Sequence, residues 1–302
     1  IMKKIRNKIN GVLLLNKPLG ISSNDAIQKV KYILNAEKVG HTGTLDPLAT
    51  GLLPVCLGEA TKFANFLLDG DKEYIATAKL GIITDTGDAE GKVIATNQVK
   101  TSLIAIKEAL IKFTGVITQI PPMYSALKHK GKALYEYARD GIIIEREARQ
   151  ITVHAIELLE YNDIDNLVVF KTTVSKGTYI RTLAEDIGNS LGCGASLIAL
   201  ARTKTNKFML QNSLTIEELG QLSNNNLPIL PVDILCNDLP IVNIVDADYA
   251  YVKNGNQCLI QNYLNINGMV RIYYQDRFLG VGDLITIDSC SKLSPKRMIK
   301  QS

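Results

Sequence analysis

Apolar residues in this chain fall in short runs and at mixed periods, which predicts strands and helices in alternation. Val12, Leu13, Leu14 and Leu15 form a continuous apolar run that reads as a buried strand, and a Pro/Gly turn at residues 16–20 follows it. Ser22 or Ser23 offers an N-cap to a helix whose apolar positions, Ala26, Ile27, Val30, Ile33 and Leu34, share one face. The apolar run at residues 52–57 anchors the loop before it in a core, and residues 59–68 read as a helix. Residues 72–80 alternate in part, as a strand does, and residues 84–91 are a polar turn. Helical spacing returns over 102–113, with Leu103, Ile106, Leu110 and Phe113 inward. Residues 119–126, with Pro121 and Pro122, form a loop. Residues 150–161 and 167–174 read as two strands joined by a hairpin turn, and residues 179–191 as a helix closed by Gly192.

The irregular alternation shows no repeat period and indicates an α+β (mixed α/β) core. A polar, proline-bearing step at residues 237–240 precedes a compositionally different tail, so one domain is expected over residues 1–238 and a smaller one over 239–302. The tail reads as a helix over 246–254 and strands over 269–274 and 278–281, ending in the basic residues Lys292, Lys296, Arg297 and Lys300.

Composition narrows the function classes. The chain has 302 residues, 46% of them hydrophobic, enough for a sizeable core. No apolar run approaches a membrane span, and the stretch after the basic lead-in at residues 2–8 is too short for a signal-peptide core. Five scattered cysteines without a C-x-x-C pair indicate reduced thiols in a cytoplasmic protein, with no disulfide framework. With three separated histidines there is no metal-site pattern. A net charge of +4 permits a polyanionic partner without requiring one.

The candidate chemistry centres on residues 40–58, a glycine- and proline-rich stretch displaying one imidazole, His41, and one carboxylate, Asp46, early in the run. Glycine lets the backbone turn sharply, and Pro47 holds Asp46 extended. Asp before Pro is also a common turn initiator, so local chemistry alone leaves both readings open. The stretch resembles the catalytic loop of the TruB family of pseudouridine synthases, G-H-T-G-x-L-D-P-x-A-x-G, with every fixed position present. Three further segments resemble that family in the same order. They are D-K-x-Y ending at Tyr74, the P-P-x-Y-S-A-x-K-x-x-G segment from Pro121 to Gly131, and K-G-T-Y-I-R from Lys176 to Arg181. Two positions depart from the pattern: Ser196 stands where an aromatic or histidine is usual, and Ala201 replaces the first arginine of L-R-R-T.

The resemblance implies a pseudouridine synthase fold, with a central, mostly antiparallel sheet flanked by helices and a short PUA-like C-terminal β domain. It implies that Asp46 is the essential carboxylate, that Arg181 pairs with it through a forked contact, and that Tyr74 stacks on the target base. A guanidinium beside a carboxylate favours the charged form and fixes its orientation. By the same resemblance His41, Thr44, Tyr179, Leu200, Lys128 and Lys130 belong to substrate binding, and Lys17 and Asp88 to binding or orienting roles near the site. The implied activity is conversion of a uridine in the T stem-loop of tRNA (position 55) to pseudouridine by a base-flipping monomer, without cofactor, metal, membrane or obligatory protein partner. Two other readings stand beside it: a synthase acting on another RNA, and an RNA-binding or chaperone protein.

Overall fold

The structure, a computed structural model of the chain, describes residues 5–223, 226–261, 263, 265–287 and 290–300. Of the basic lead-in, residues 2–4 lie outside the described residues.

Seven strands carry the larger sheet: β1 (Gly11–Lys17), β2 (Ala49–Leu57), β3 (Lys72–Leu80), β4 (Gly115–Gln119), β5 (Arg149–Asn162), β6 (Leu167–Val174) and β7 (Ala195–Thr205). Their order is β1-β2-β7-β3-β6-β5-β4, and the short strands Val39–His41 and Phe208–Met209 complete a nine-stranded sheet. The sheet is mostly antiparallel. Its parallel pairing, β7 with β2, sets Leu200 opposite Ala49 and Arg202 opposite Gly51. On its other side β7 pairs antiparallel with β3 and places Arg202 opposite Tyr74.

Three helices flank this sheet: α1 (Ser23–Ile33), α2 (Leu103–Lys112) and α3 (Ile180–Ser190). A capping box starts α1, the Ser22 hydroxyl accepting from the Asp25 N–H and the Asp25 carboxylate accepting from the Ser22 N–H. The apolar faces of α1 (Ala26, Ile27, Val30), α2 (Ile106, Ala109, Leu110) and α3 (Leu183, Ala184, Ile187) join one core with the inward residues of the sheet. Along β3 the two-residue period turns Lys72, Tyr74, Ala76, Ala78 and Leu80 to the buried side.

The runs at 12–15 and 52–57 are apolar at nearly every position because both faces of β1 and β2 are covered. Leu13, Leu15, Leu53 and Val55 face the helices, while Val12, Leu14, Leu52 and Cys56 enter a second core with Phe63, Leu67, Val232 and Val281. Val281 comes from the C-terminal sheet of β8 (Ile241–Ile244), β9 (Cys258–Ile260), β10 (Gly268–Tyr274), β11 (Arg277–Ile287) and β12 (Cys290–Met298), in the order β8-β10-β11-β12-β9. This β domain has its own core of Val242, Val252, Val270, Ile272, Leu279, Leu284 and Leu293.

The helix expected over 59–68 is instead a 3-10 turn, Gly58–Lys62, and a short helix, Ala64–Leu68. The break is at Phe63, whose backbone leaves helical geometry and whose fully buried ring packs against Phe66 and Phe278. The basic C-terminal residues, read as a tail, lie partly within β12, which pairs with β11 and β9. Among the described residues no helix is long and apolar enough to cross a membrane.

Candidate active site

The loop carrying Asp46 runs from His41 to the start of β2 and is fixed from two sides. On one side the Ser23 hydroxyl, in the first turn of α1, accepts from the Leu45 N–H at 2.8 Å and donates to the Leu45 carbonyl at 3.0 Å. On the other, Arg202 on β7 donates from Nε to the Leu52 carbonyl (2.8 Å) and from Nη2 to the Gly43 carbonyl (3.2 Å). Gly51 makes this approach possible: its φ is +100°, and a Cβ there would stand 2.4 Å from the Arg202 carbonyl oxygen. The Asp46 carbonyl accepts from the Ala49 N–H at 3.0 Å, closing a turn around Pro47.

Arg181 projects from the first turn of α3 into the space beside this loop. Its Nη2 lies 3.0 Å from Asp46 Oδ2 and its Nη1 lies 3.2 Å from Asp88 Oδ2. Nη1 also donates to the Thr86 carbonyl and Nη2 to the Tyr124 carbonyl. The guanidinium therefore spans two carboxylates and does not form the forked pair expected with Asp46 alone, because Asp88 and Thr86 occupy Nη1. Exposure separates the three side chains: Asp46 is 44% exposed, Arg181 7% and Asp88 4%. Asp46 keeps an open side, whereas Asp88 is closed against the arginine. Burial, then the charges of Asp88 and Asp46, pushes the neighbouring Glu90 carboxyl upward.

Asp46 opens onto a cavity of about 580 Å³, within the range of small-molecule sites, and is the only acid among the described residues lining it. Tyr74 and Leu200, both largely buried, line it with Tyr179, Arg181 and Thr44. Gln119 clasps the Tyr179 backbone, accepting its N–H at 2.7 Å and donating to its carbonyl at 3.1 Å. Burial raises the pKa of the Tyr179 phenol, with a Ser125 hydrogen bond acting the other way.

Five sequence candidates stand outside the cavity wall. Lys17 is fully buried, its Nζ donating to the Pro18 (2.9 Å) and Ile21 (2.7 Å) carbonyls, which places it as an orienting residue of the turn that follows β1 and outside the cavity lining. Burial lowers its pKa to about 8 against the pull of Asp46 and Glu90. Asp88 lies 3.2 Å from Arg181 Nη1 and is not among the cavity residues, a placement that suits the orienting alternative. His41 is half-buried on the strand Val39–His41, and burial followed by the Arg202 charge pushes its imidazole pKa down. Lys128 and Lys130 are exposed on a small hairpin formed by Lys128–His129 and Lys132–Ala133, beside the cavity residues Ser125 to Leu127. Sequence reading missed Ser23 as a loop clamp, Gln119, Lys72 and the buried role of Arg202. Among the described residues no group of three or more His, Cys, Asp or Glu side chains could hold a metal ion.

Three family models match in tandem. "TruB family pseudouridylate synthase (N terminal domain)" covers residues 31–180, "tRNA pseudouridylate synthase B C-terminal domain" covers 181–232, and "Pseudouridine synthase II TruB, C-terminal" covers 240–299. A protein of Methylobacillus flagellatus named tRNA pseudouridine synthase B is 49% identical over 99% of this chain and 98% of its own. A protein of the same name from Dechloromonas aromatica is 48% identical over 93% of each. Among solved structures, a chain from "Crystal Structure of a Cbf5-Nop10-Gar1 Complex" superposes with a TM-score of 0.73 at 28% identity, over 96% of this chain and 84% of that one.

Proposed function

The chain belongs to the TruB family of pseudouridine synthases, and we propose that it isomerises a uridine in the T stem-loop of tRNA, position 55, with Asp46 as the essential carboxylate. The observation that carries this reading is Asp46 itself: an exposed acid at the wall of an aromatic-lined cavity, held 3.0 Å from a buried guanidinium. The tRNA substrate is supported by relatives named tRNA pseudouridine synthase B at 49% and 48% identity, against 28% for the matching chain of the solved complex.

Isomerisation breaks the N-glycosidic bond, rotates the uracil and rejoins it through C5, with one proton leaving C5 and one gained at N1. Atoms and electrons balance without an oxidant, a reductant or a cofactor. The target base leaves its stack at a cost of a few kcal/mol, and stacking on an aromatic side chain returns about 1–3 kcal/mol. Tyr74 is that side chain, with Leu200 closing the pocket on the neighbouring strand. His41 braces the space that the base vacates. Asp46 acts ionised, as a nucleophile at ribose C1′ or base C6 or as the base that takes a ribose proton. Arg181 keeps it aimed, and Asp88 holds Arg181. Lys128 and Lys130 meet the RNA backbone outside the cavity, and the C-terminal β domain acts as a PUA-like RNA-binding module. The protein works as a cytoplasmic monomer on free tRNA, read by the shape of its T stem-loop.

The test is incubation of wild-type and Asp46→Asn protein with an unmodified tRNA transcript, followed by nucleoside analysis and a binding assay. Pseudouridine confined to the T-loop uridine, absent with Asp46→Asn while RNA affinity is kept, supports the reading. Near-normal turnover by Asp46→Asn overturns it.

A further inference from the structure

Lys72 and Arg202 line the same cavity as Asp46, and the chemistry above uses neither. They are 8% and 1% exposed. Unlike Arg181, which stands between two carboxylates, neither has a carboxylate within ion-pair distance among the described residues. The acids nearest Lys72 in sequence are committed elsewhere, Asp71 to His154 at 3.2 Å, Glu73 to Lys171 at 3.1 Å and Asp69 to Lys176 at 2.8 Å. Register brings the two cations together: Arg202 pairs with Tyr74, two residues beyond Lys72 on the same buried face of β3.

Each cation keeps a donor in reserve. Lys72 Nζ donates to the Leu68 (2.6 Å) and Gly70 (2.5 Å) carbonyls, which leaves one of its three N–H bonds. Arg202 spends Nε and Nη2 on carbonyls, and among the described residues Nη1 donates to nothing. Nη1 lies beside Gly43, where a Cβ would stand 3.5 Å from it, so the cavity residue nearest this nitrogen has no side chain to cover it. Two buried cations without a carboxylate are a costly arrangement in a folded protein, and a bound anion would offset it. Burial first and then the Arg202 charge lower the Lys72 pKa to about 8, with the more distant charges of Asp69 and Asp71 acting the other way.

We propose that Lys72 and Arg202 form an anion subsite inside the cavity that takes a phosphate flanking the extruded uridine. The subsite rests on the reading of the substrate as RNA with a flipped uridine, because extrusion carries the adjoining backbone phosphates toward the cavity. Phosphate oxygens accept from an ammonium and a guanidinium together, as charge-assisted hydrogen bonds. Lys72 is thus a binding residue, and Arg202 both binds the phosphate and braces the Asp46 loop.

The experiment uses T stem-loop RNA carrying a neutral methylphosphonate in place of the phosphate 5′ or 3′ to the target uridine, with wild-type and Lys72→Met protein. For wild type, one of the two neutral linkages weakens binding roughly tenfold, the order of one charge-assisted hydrogen bond. Lys72→Met weakens binding of native RNA by a similar factor and loses nothing further on that same linkage, while Lys72→Arg recovers part of the loss. Equal losses for Lys72→Met on native and neutral RNA overturn the subsite and leave Lys72 as a structural brace. Should Lys72→Met fail to fold, the wild-type comparison decides alone: unchanged affinity for both neutral linkages overturns the proposal. Wild-type protein that does not convert native RNA refutes the functional reading, whereas conversion without coupling refutes only the subsite.

Discussion

Ser23 and Leu45 are hydrogen-bonded twice, the buried serine hydroxyl accepting from the Leu45 N–H and donating to its carbonyl. The bond ties the first turn of α1 to the residue immediately before Asp46. Substitution Ser23→Ala leaves a buried backbone N–H and C=O without their partner, at a cost of about 1–3 kcal/mol. The expected result is a lower urea midpoint and a reduced single-turnover rate with RNA affinity almost unchanged, since the cavity wall is intact and only the aim of Asp46 loosens. Ser23→Thr, which keeps the hydroxyl, recovers rate. A Ser23→Ala enzyme with wild-type turnover would show that Pro47 and Arg202 suffice to hold the loop.

Gly51 and Arg202 make the second fixed point. A methyl group at position 51 meets the Arg202 carbonyl oxygen at 2.4 Å, and the backbone there has φ +100°. Because the obstacle is backbone in a parallel strand pair, it cannot swing away. Gly51→Ala is therefore expected to lose at least about 2 kcal/mol, combining backbone strain with a forced shift of β2 from β7. Chemical denaturation measures this, and a loss below about 0.5 kcal/mol would mean that the β2–β7 pairing gives way cheaply.

The acid, the tyrosine and the arginine of the site were legible because each stands in a short contiguous motif. The supports were not, because their partners are distant in sequence. Arginine is usually exposed, and nothing in the sequence around Arg202 marks it as buried. Its carbonyl partners lie 150 and 159 residues away, on a strand and a loop that only tertiary structure brings near. The strand β7 itself escaped notice because its small and polar residues, Ala195 to Thr205, carry little apolar alternation, and neighbours on both sides supply its stability. Ser22 and Ser23 illustrate the same limit within two residues. Either could cap α1 by sequence, but Ser22 does so and Ser23 turns to Leu45. Family resemblance put Lys17 near the site in a binding or orienting role, and only the structure shows its ammonium on two loop carbonyls. The runs at 12–15 and 52–57 were recognised as buried, and their cause, a second core closed by the C-terminal β domain, became clear only with Val281 in place.

Asp88 carries the next prediction. With Arg181 7% exposed and Asp88 4% exposed, replacing Asp88 by Asn keeps an acceptor for Nη1 but removes one of two charges balancing the guanidinium. Losing one partner of a buried pair typically costs about 3–5 kcal/mol, and the retained Asp46 contact keeps the cost here to the low end. Turnover falls because Arg181 is drawn further toward Asp46 and no longer holds it at the cavity wall. RNA affinity stays within about threefold, since Asp88 does not reach the cavity. Single-turnover rates and filter binding on the same RNA check both halves, and unchanged rates would show that Thr86 and Tyr124 alone fix Arg181.

Lys17 makes stability rise with pH, the same direction as a carboxylate whose pKa folding depresses, but in an alkaline window. Burial holds its folded pKa near 8, below the 10.5 of an unconstrained lysine. Below pH 8 both states carry the proton and the burial penalty is fully present. Between pH 8 and 10.5 the folded protein releases the proton while the unfolded chain keeps it, so stability from this group rises with pH across that window. Cys56, whose thiol burial pushes up to about 12, works against it: its contribution is present below pH 9 and is lost as pH climbs toward 12. The two are separated by comparing wild type with Lys17→Met, which removes the lysine term and leaves the thiol. The unfolding free energy of wild type should gain on that of Lys17→Met from pH 8 to 10, measured by urea denaturation at each pH. A constant difference over that range would mean that the folded protein keeps Lys17 protonated throughout, held by the Pro18 and Ile21 carbonyls and by the charge of Asp46.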